Sequence, residues 1–243
     1  MCYNSSIERT FYFCLEEDTM YRTKDATQKR KDEKKQMILD TAAKVFSSDG
    51  YHNTTVKDIV KEAGISVGSF YFYFKSKEEL FAELFKSIVR EFNDVTLSVL
   101  DIEHYTMLKN FTRVMTATLW MYEQKREIAR IMLHEAAFGE PAFQKLEADR
   151  MNAFAQTMTE WFRRFKRHDG VNIPDERVAA LIYAGSYYCL VNNRTESDNA
   201  PLTDYCFAFC VFNLQALRIS FDDNVVNEYI DEVLGELNAR TVV

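Results

Sequence analysis

Apolar and polar positions along this chain recur with the 3.6-residue period of helices, and alternation with a period of two is rare. Ile38, Ala42, Val45 and Phe46 form one apolar stripe and predict a helix over roughly residues 32–48, stopped by Gly50. In the stretch NTTVKDIVKEAG, Thr54 or Thr55 is an N-cap, Asp58 lies in the first turn and Gly64 ends a short helix. Ser66 caps a second brief helix through the unbroken aromatic run Phe70, Tyr71, Phe72, Tyr73, Phe74. Ser76 and Glu79 form a capping box that opens a longer helix. Beyond residue 90, amphipathic segments fall at about 104–122, 126–138, 142–168, 175–193 and 203–221, with a shorter one near 225–238. Gly139-Glu140-Pro141 and the stretches 170–174 and 198–201 punctuate them. The expected fold is all-α.

Composition narrows the picture. With 243 residues, 47% hydrophobic, the chain buries a sizeable core as one large domain or two smaller ones. Its five cysteines form no CxxC pair and no even framework, so reduced thiols and a cytoplasmic location are expected. No apolar run approaches the roughly 18 residues of a membrane span. Residues 1–20 carry no helical periodicity, and a basic segment follows Met20 at once. Translation is therefore expected to start at Met20, with a disordered tail as the alternative. The net charge of −7 divides unevenly: −3 over residues 1–20, +4 over 21–90 and −8 over 91–243. A basic head joined to an acidic body fits a polyanion reader carrying a module for something else.

Five consecutive rings cannot all be buried by one helix face. If Phe70 and Phe74 face inward, Tyr71, Phe72 and Tyr73 face outward or sideways. Outward rings on a basic domain are suited to the DNA backbone, sugars and thymine methyls. Two short helices around a Gly-containing turn are the helix-turn-helix pattern. From Thr54-Thr55 through DIVKEAGISVGSFYFYFKSKEEL, the sequence resembles the DNA-binding head of the TetR family of transcriptional repressors, over about residues 32–85. Val60 departs from that pattern, where a small Ala is usual. The resemblance implies phosphate contacts from Thr54 and Thr55, and a phosphate or guanine contact from Lys57. It places Ser66, Val67, Gly68 and Ser69 at the major-groove floor, and sets Tyr71 and Tyr73 on the backbone with Phe72 alongside. Lys77 is implied to clamp a phosphate.

In the remainder, the resemblance implies effector binding and dimerisation. The candidate pocket is Met115, Leu119, Trp120, Met132, Phe138, Phe154, Met158, Trp161, Tyr183 and Tyr187, a set that from spacing alone reads more readily as plain core and that the resemblance moves towards a ligand box. Glu135 and Arg150 lie on apolar stripes, as structural ion pairs or as anchors for an effector's polar group. The candidate dimer face is Ala180 and Ala184 on one helix with Phe207, Cys210, Val211 and Leu214 on another. Cys206 and Cys210 read as small buried hydrophobes.

An enzyme has no positive support, since His134-Glu135 begins a zinc-protease pattern but Phe138 stands where the second His is needed. No metal and no cofactor are expected. The domain expectation is an extension over 1–21, a DNA-binding head with basic arm over 22–85, and an effector and dimerisation domain over 86–243. The expected function is a homodimeric repressor on a palindromic operator, released by a hydrophobic small molecule. A constitutive DNA-binding or structural protein is the alternative.

Overall fold

In the computed structural model, residues 26–101, 103–168, 173–193 and 200–241 are described. The expectations for Met20 and for the tail before it lie outside these residues. Among the described residues there are ten helices and no strand: α1 Ala26–Asp49, α2 Val56–Glu62, α3 Val67–Tyr73, α4 Lys77–Ser98, α5 Met107–Gln124, α6 Arg126–Phe138, α7 Pro141–His168, α8 Glu176–Asn193, α9 Leu202–Ala216 and α10 Asp223–Thr241. None of these helices is long and apolar enough to cross a membrane.

Two boundaries differ from expectation for local reasons. Helix α1 is described from Ala26, so the described part of the expected basic arm, Lys29 to Lys35, is helical. Helix α9 ends at Ala216, short of residue 221, because Arg218 adopts a left-handed φ of 57°. Its N–H donates to the Gln215 carbonyl and that of Ile219 to Leu214, the double closure of a Schellman ending. Glycine usually announces such an ending, and here arginine takes the position.

The described chain forms two compact units. The first comprises residues 26–90 and 125–147, and the second 91–124 and 148–241. In the first, Ile38, Ala42, Phe46, Ile59, Phe70, Phe74, Leu80 and Phe81 make a core that α1 to α4 share. Tyr51 sits among the rings of Phe46, Phe81 and Phe143 at 5.5, 4.7 and 5.5 Å between centroids. Helix α6 packs on α1 within this unit.

The second unit is organised around α5, which packs on α9 and α10. Every residue of α5 from Asn110 to Tyr122 is buried, so this helix is enclosed on all sides. That enclosure takes Arg113 with it, 3% exposed. A buried guanidinium must be paired. Its Nε donates to the Val99 carbonyl at 2.9 Å, Nη1 to Glu232 and Glu236 at 3.1 Å each, and Nη2 to Glu236 at 2.6 Å. The Trp120 indole N–H donates to Asn238 at 2.8 Å, a second tie from α5 to α10.

The Arg113 side chain holds the Glu236 carboxyl below its ordinary value of 4.5. Near pH 4 the folded chain therefore binds fewer protons here than the unfolded chain. The stabilisation is complete above the unfolded value and fades as pH falls through the lowered folded one. Arg113→Met should cost about 3 kcal/mol at neutral pH. It should also remove that part of the acid sensitivity, as read from urea melts between pH 3 and 7.

Candidate nucleic-acid interface

Helices α2 and α3 are seven residues each and rely on their caps. Thr55 is the N-cap of α2, extended at φ −106° and ψ 163°. Its Oγ1 accepts from the Asp58 N–H at 3.3 Å and donates to the Asp58 carboxylate at 2.5 Å. That carboxylate also accepts the Thr55 N–H at 2.9 Å, completing a capping box. The Thr55 hydroxyl holds the Asp58 carboxyl below its ordinary value. At the other end Gly64 takes φ 62°, its N–H bonds Lys61 O at 3.3 Å and that of Ile65 bonds Val60 O at 3.0 Å. This closure needs a left-handed residue, and glycine adopts it without a Cβ penalty. Ser66 then caps α3, accepting from the Ser69 N–H at 3.1 Å.

The aromatic run divides as its period requires. Phe70 and Phe74 are 0% and 2% exposed, with ring centroids 5.8 Å apart. Tyr71 and Phe72 stand out at 53% and 66% exposed, with Val67 at 45% one turn earlier. Tyr73 is half-buried with its ring edge-on to Phe72 at 5.0 Å. Ser66, Gly68, Lys57 and Thr55 are exposed around them, and Ser69 is half-buried. The Lys31 ammonium lies 5.7 Å from the Phe72 ring, so the basic start of α1, with Lys29, Arg30 and Lys34 also exposed, continues the patch beside α3.

Two of the residues expected on phosphates are turned elsewhere. Thr54 is 1% exposed and donates its hydroxyl to the Gly50 carbonyl at 2.7 Å. Lys77 donates to the carbonyls of Tyr51 at 2.8 Å and Thr54 at 2.9 Å, with its ammonium 4.2 Å from the Tyr51 ring centroid. Both side chains hold the turn between α1 and α2. Position in the sequence does not reveal this, because a lysine that opens a helix reads as a surface charge.

Glu135, weighed as an effector anchor, is 3% exposed within the first unit. Its Oε2 lies 3.1 Å from His52 Nε2 and its Oε1 3.4 Å from His134 Nδ1. A Cβ on Gly139 would fall 2.6 Å from Glu135 Oε2 and 2.4 Å from its carbonyl oxygen, so that glycine makes room for the carboxylate. Met132 is buried in the same unit, and the Phe138 side chain lies outside the described residues. Met115, Leu119, Trp120, Met158, Trp161 and Tyr183 are buried in the second unit, with Phe154, Arg150 and Tyr187 half-buried. The structure thus divides the expected pocket residues between two units. In the second, Phe154 stacks on Tyr183 at 5.7 Å.

The expected dimer face is corrected. Ala180, Ala184, Cys210 and Leu214 are all buried inside the chain, at 0 to 1% exposed, and Phe207 and Val211 are half-buried. Their places on a free face are taken by Val178, Leu181 and Ile182 on α8 and Phe212 on α9, at 50, 46, 61 and 60% exposed. Gly185 and Cys189 continue the α8 stripe at helical spacing and are exposed. Both faces of α8 and α9 are apolar, so periodicity alone does not tell which one turns inward.

Residues 38–84 match the family described as bacterial regulatory proteins, tetR family. The chain is similar to the fatty acid metabolism regulator protein of Bacillus subtilis (strain 168), 41% identical over 64 residues, which cover 26% of this chain and 33% of that one. It is also similar to the HTH-type transcriptional regulator AcrR of Shigella flexneri, 28% identical over 120 residues, 46% of this chain and 54% of that one. The chain thus spans between about a third and about half of the length of these relatives. Two solved structures share the fold. One is the fatty acid degradation regulator FadR of Bacillus halodurans, with TM-score 0.68 and 20% identity over 82% of this chain and 100% of that one. The other is the transcriptional regulator FadR of Bacillus subtilis in complex with stearoyl-CoA, with TM-score 0.64 and 18% identity over 73% of this chain and 96% of that one.

Lys57 and Lys77 should separate cleanly. Lys57→Ala should leave stability within about 0.5 kcal/mol. It should lower the salt slope of duplex DNA binding by about one. Lys77→Met should strand two carbonyls and cost about 1–3 kcal/mol in chemical denaturation.

Proposed function

We propose, on the premise that residues 38–84 are the DNA-binding domain of the tetR family of bacterial regulatory proteins, that this chain is a homodimeric transcriptional repressor. It occupies a palindromic operator and is released by a hydrophobic small molecule held in the second unit. The observation that carries the DNA reading is the outward face of α3. Val67, Tyr71 and Phe72 stand exposed there, with the Lys31 ammonium against the Phe72 ring. Two exposed rings on one short helix have a reason to stay in water only if a surface meets them.

The base-facing set contains no Arg, Asn or Gln. Direct readout therefore rests on Val67 against a thymine methyl, on the Ser66 and Ser69 hydroxyls and on Phe72. Thr55 and Lys57 hold the backbone, with Tyr71 and Tyr73, and DNA shape supplies much of the remaining discrimination. One such head binds weakly, and a palindrome requires two. The apolar stripe Val178, Leu181, Ile182 with Phe212 supplies the surface by which two copies pair, and Gly185 has open space where a Cβ would project, so a partner helix can approach closely.

The effector reading rests on the interior of the second unit. The rings of Phe111, Phe154, Tyr183 and Phe209 gather there, and Met115 and Met158 are buried in the same unit, an apolar, adaptable interior suited to a fatty acyl chain. Similarity to a fatty acid metabolism regulator and to a FadR solved with stearoyl-CoA supports the same ligand class. Release follows if the acyl ligand favours a dimer whose heads no longer match successive major grooves; equal affinity for both arrangements would shift nothing.

Selection of random duplex DNA by the purified chain should enrich a palindrome at near-physiological salt, and enrichment of single half-sites alone would rule out the dimeric reader. Ile182→Asp with Phe212→Asp should halve the mass seen by light scattering and abolish palindrome binding while the helical signal stays intact. An unchanged mass would remove this face from the interface.

A further inference from the structure

The second unit buries three hydroxyls that have no hydrogen-bond partner: those of Thr112, Thr116 and Tyr183. Thr112 and Thr116 are 0% exposed and one turn apart on α5, and Tyr183 on α8 is 2% exposed. A threonine inside a helix ordinarily returns its hydroxyl to the carbonyl four residues back. Thr118 does so to Val114 at 2.7 Å, and Thr159 to Ala155 at 2.6 Å. Thr112 and Thr116 do not. Each unmet hydroxyl costs about 1–3 kcal/mol, and Val or Phe of nearly the same volume would avoid that cost.

Cys210 of α9, 0% exposed, packs against the turn of α5 that carries Thr112 and Thr116. Its Sγ lies 4.0 Å from the Thr112 carbonyl oxygen and is close enough to the Thr116 hydroxyl for a weak thiol contact, and the Tyr183 phenol feels its charge. The Tyr183 ring is ringed by Phe154, Phe209 and Phe111 at 5.7, 5.6 and 6.4 Å. Two unmet hydroxyls one turn apart on α5 and a third within the aromatic surround of Tyr183 thus flank Cys210 in the interior of this unit.

We propose that Thr112, Thr116 and Tyr183 form the polar seat for a neutral carbonyl of the effector, an ester, thioester or amide at the head of an acyl chain, and that they discriminate against a free carboxylate. This deepens, and rests on, the reading of the second unit as an acyl-effector domain. A carbonyl oxygen has two lone pairs, and the phenol and one threonine hydroxyl supply two donors. A carboxylate at the same depth would need a cation. The buried guanidinium on α5, Arg113, is already engaged by the Val99 carbonyl, Glu232 and Glu236. The groups that act on Tyr183 and Cys210 are Tyr187, Cys206, Thr116 and one another, none of them cationic. Burial pushes both the phenol and the thiol well above their ordinary values, so each keeps its proton as a donor.

The test titrates the full chain by intrinsic tryptophan fluorescence with four probes of one chain length: methyl dodecanoate, S-ethyl thiododecanoate, dodecanoate at pH 8 and dodecane. The ester and thioester should bind at least about tenfold more tightly than dodecanoate. Tyr183→Phe and Thr116→Val should each weaken the ester by about five- to tenfold and leave dodecane unchanged. Without ligand, both variants should melt no lower than the parent chain, because each loses an unpaired hydroxyl. Equal ester affinity in parent and variants would overturn the seat and leave the hydroxyls to a buried water. Equal affinity for dodecanoate and ester would overturn the discrimination. Lower melting of both unliganded variants would show that the hydroxyls are satisfied within the fold, and would overturn the seat as well. Failure of all four probes, dodecane included, would overturn the acyl-effector reading itself and this inference with it.

Discussion

A helix turns about 100° per residue, so a helix of seven residues cannot bury five consecutive rings. That constraint fixes the head. Phe70 and Phe74, four residues apart, take the inward direction and close the core with Ile59, Phe46 and Phe81. Tyr71 and Phe72 are thereby committed to the outside, whatever else the chain does. The inward pair sets the pitch of α3 about its own axis, and the Gly64 closure sets where α3 starts. The exposed face of α3 is the remainder left by packing.

Much of the head was legible because its signals are local. Thr55, Asp58, Gly64, Ser66 and Ser76 act within a few residues of themselves, and each appears where its cap chemistry predicts. The Glu79 carboxylate is a small variation, accepting from the Lys75 N–H and not from that of its own N-cap Ser76. What stayed hidden depends on distant partners. Thr54 and Lys77 read as phosphate ligands by position, and only the fold shows the carbonyls that claim them. Glu135 finds a neighbour in His52, 83 positions earlier in the chain. The inward faces of α8 and α9 were misassigned because small residues permit close packing inside a chain as readily as between chains. The end of α9 at Arg218 carried no sequence signal, since the residue in the left-handed position is not glycine.

The second unit combines opposite treatments of buried polarity on one helix. Arg113 on α5 makes four hydrogen bonds, tying the helix to α10 and to the segment before it. One position earlier and three positions later, Thr112 and Thr116 are left with hydroxyls unmet. A helix enclosed on all sides tolerates such a deficit only because other contacts hold it in place. Rigid support and unfilled bonding capacity are thus neighbours, the arrangement a binding site requires if its donors are to be oriented before a ligand arrives.

The inward ammonium of Lys77 bears on how chains of this kind diverge. A compact, three-donor cation reaches two carbonyls and a ring face at once, whereas the planar fork of arginine presents its donors in one plane and suits a different geometry. Substitution at this position is thereby coupled to survival of the turn between α1 and α2. Lys57, Val67 and Phe72, turned to the outside, carry no such tie to the packing of the turn. The outer surface of α3 can therefore change its side chains while the lysine that holds the turn stays in place.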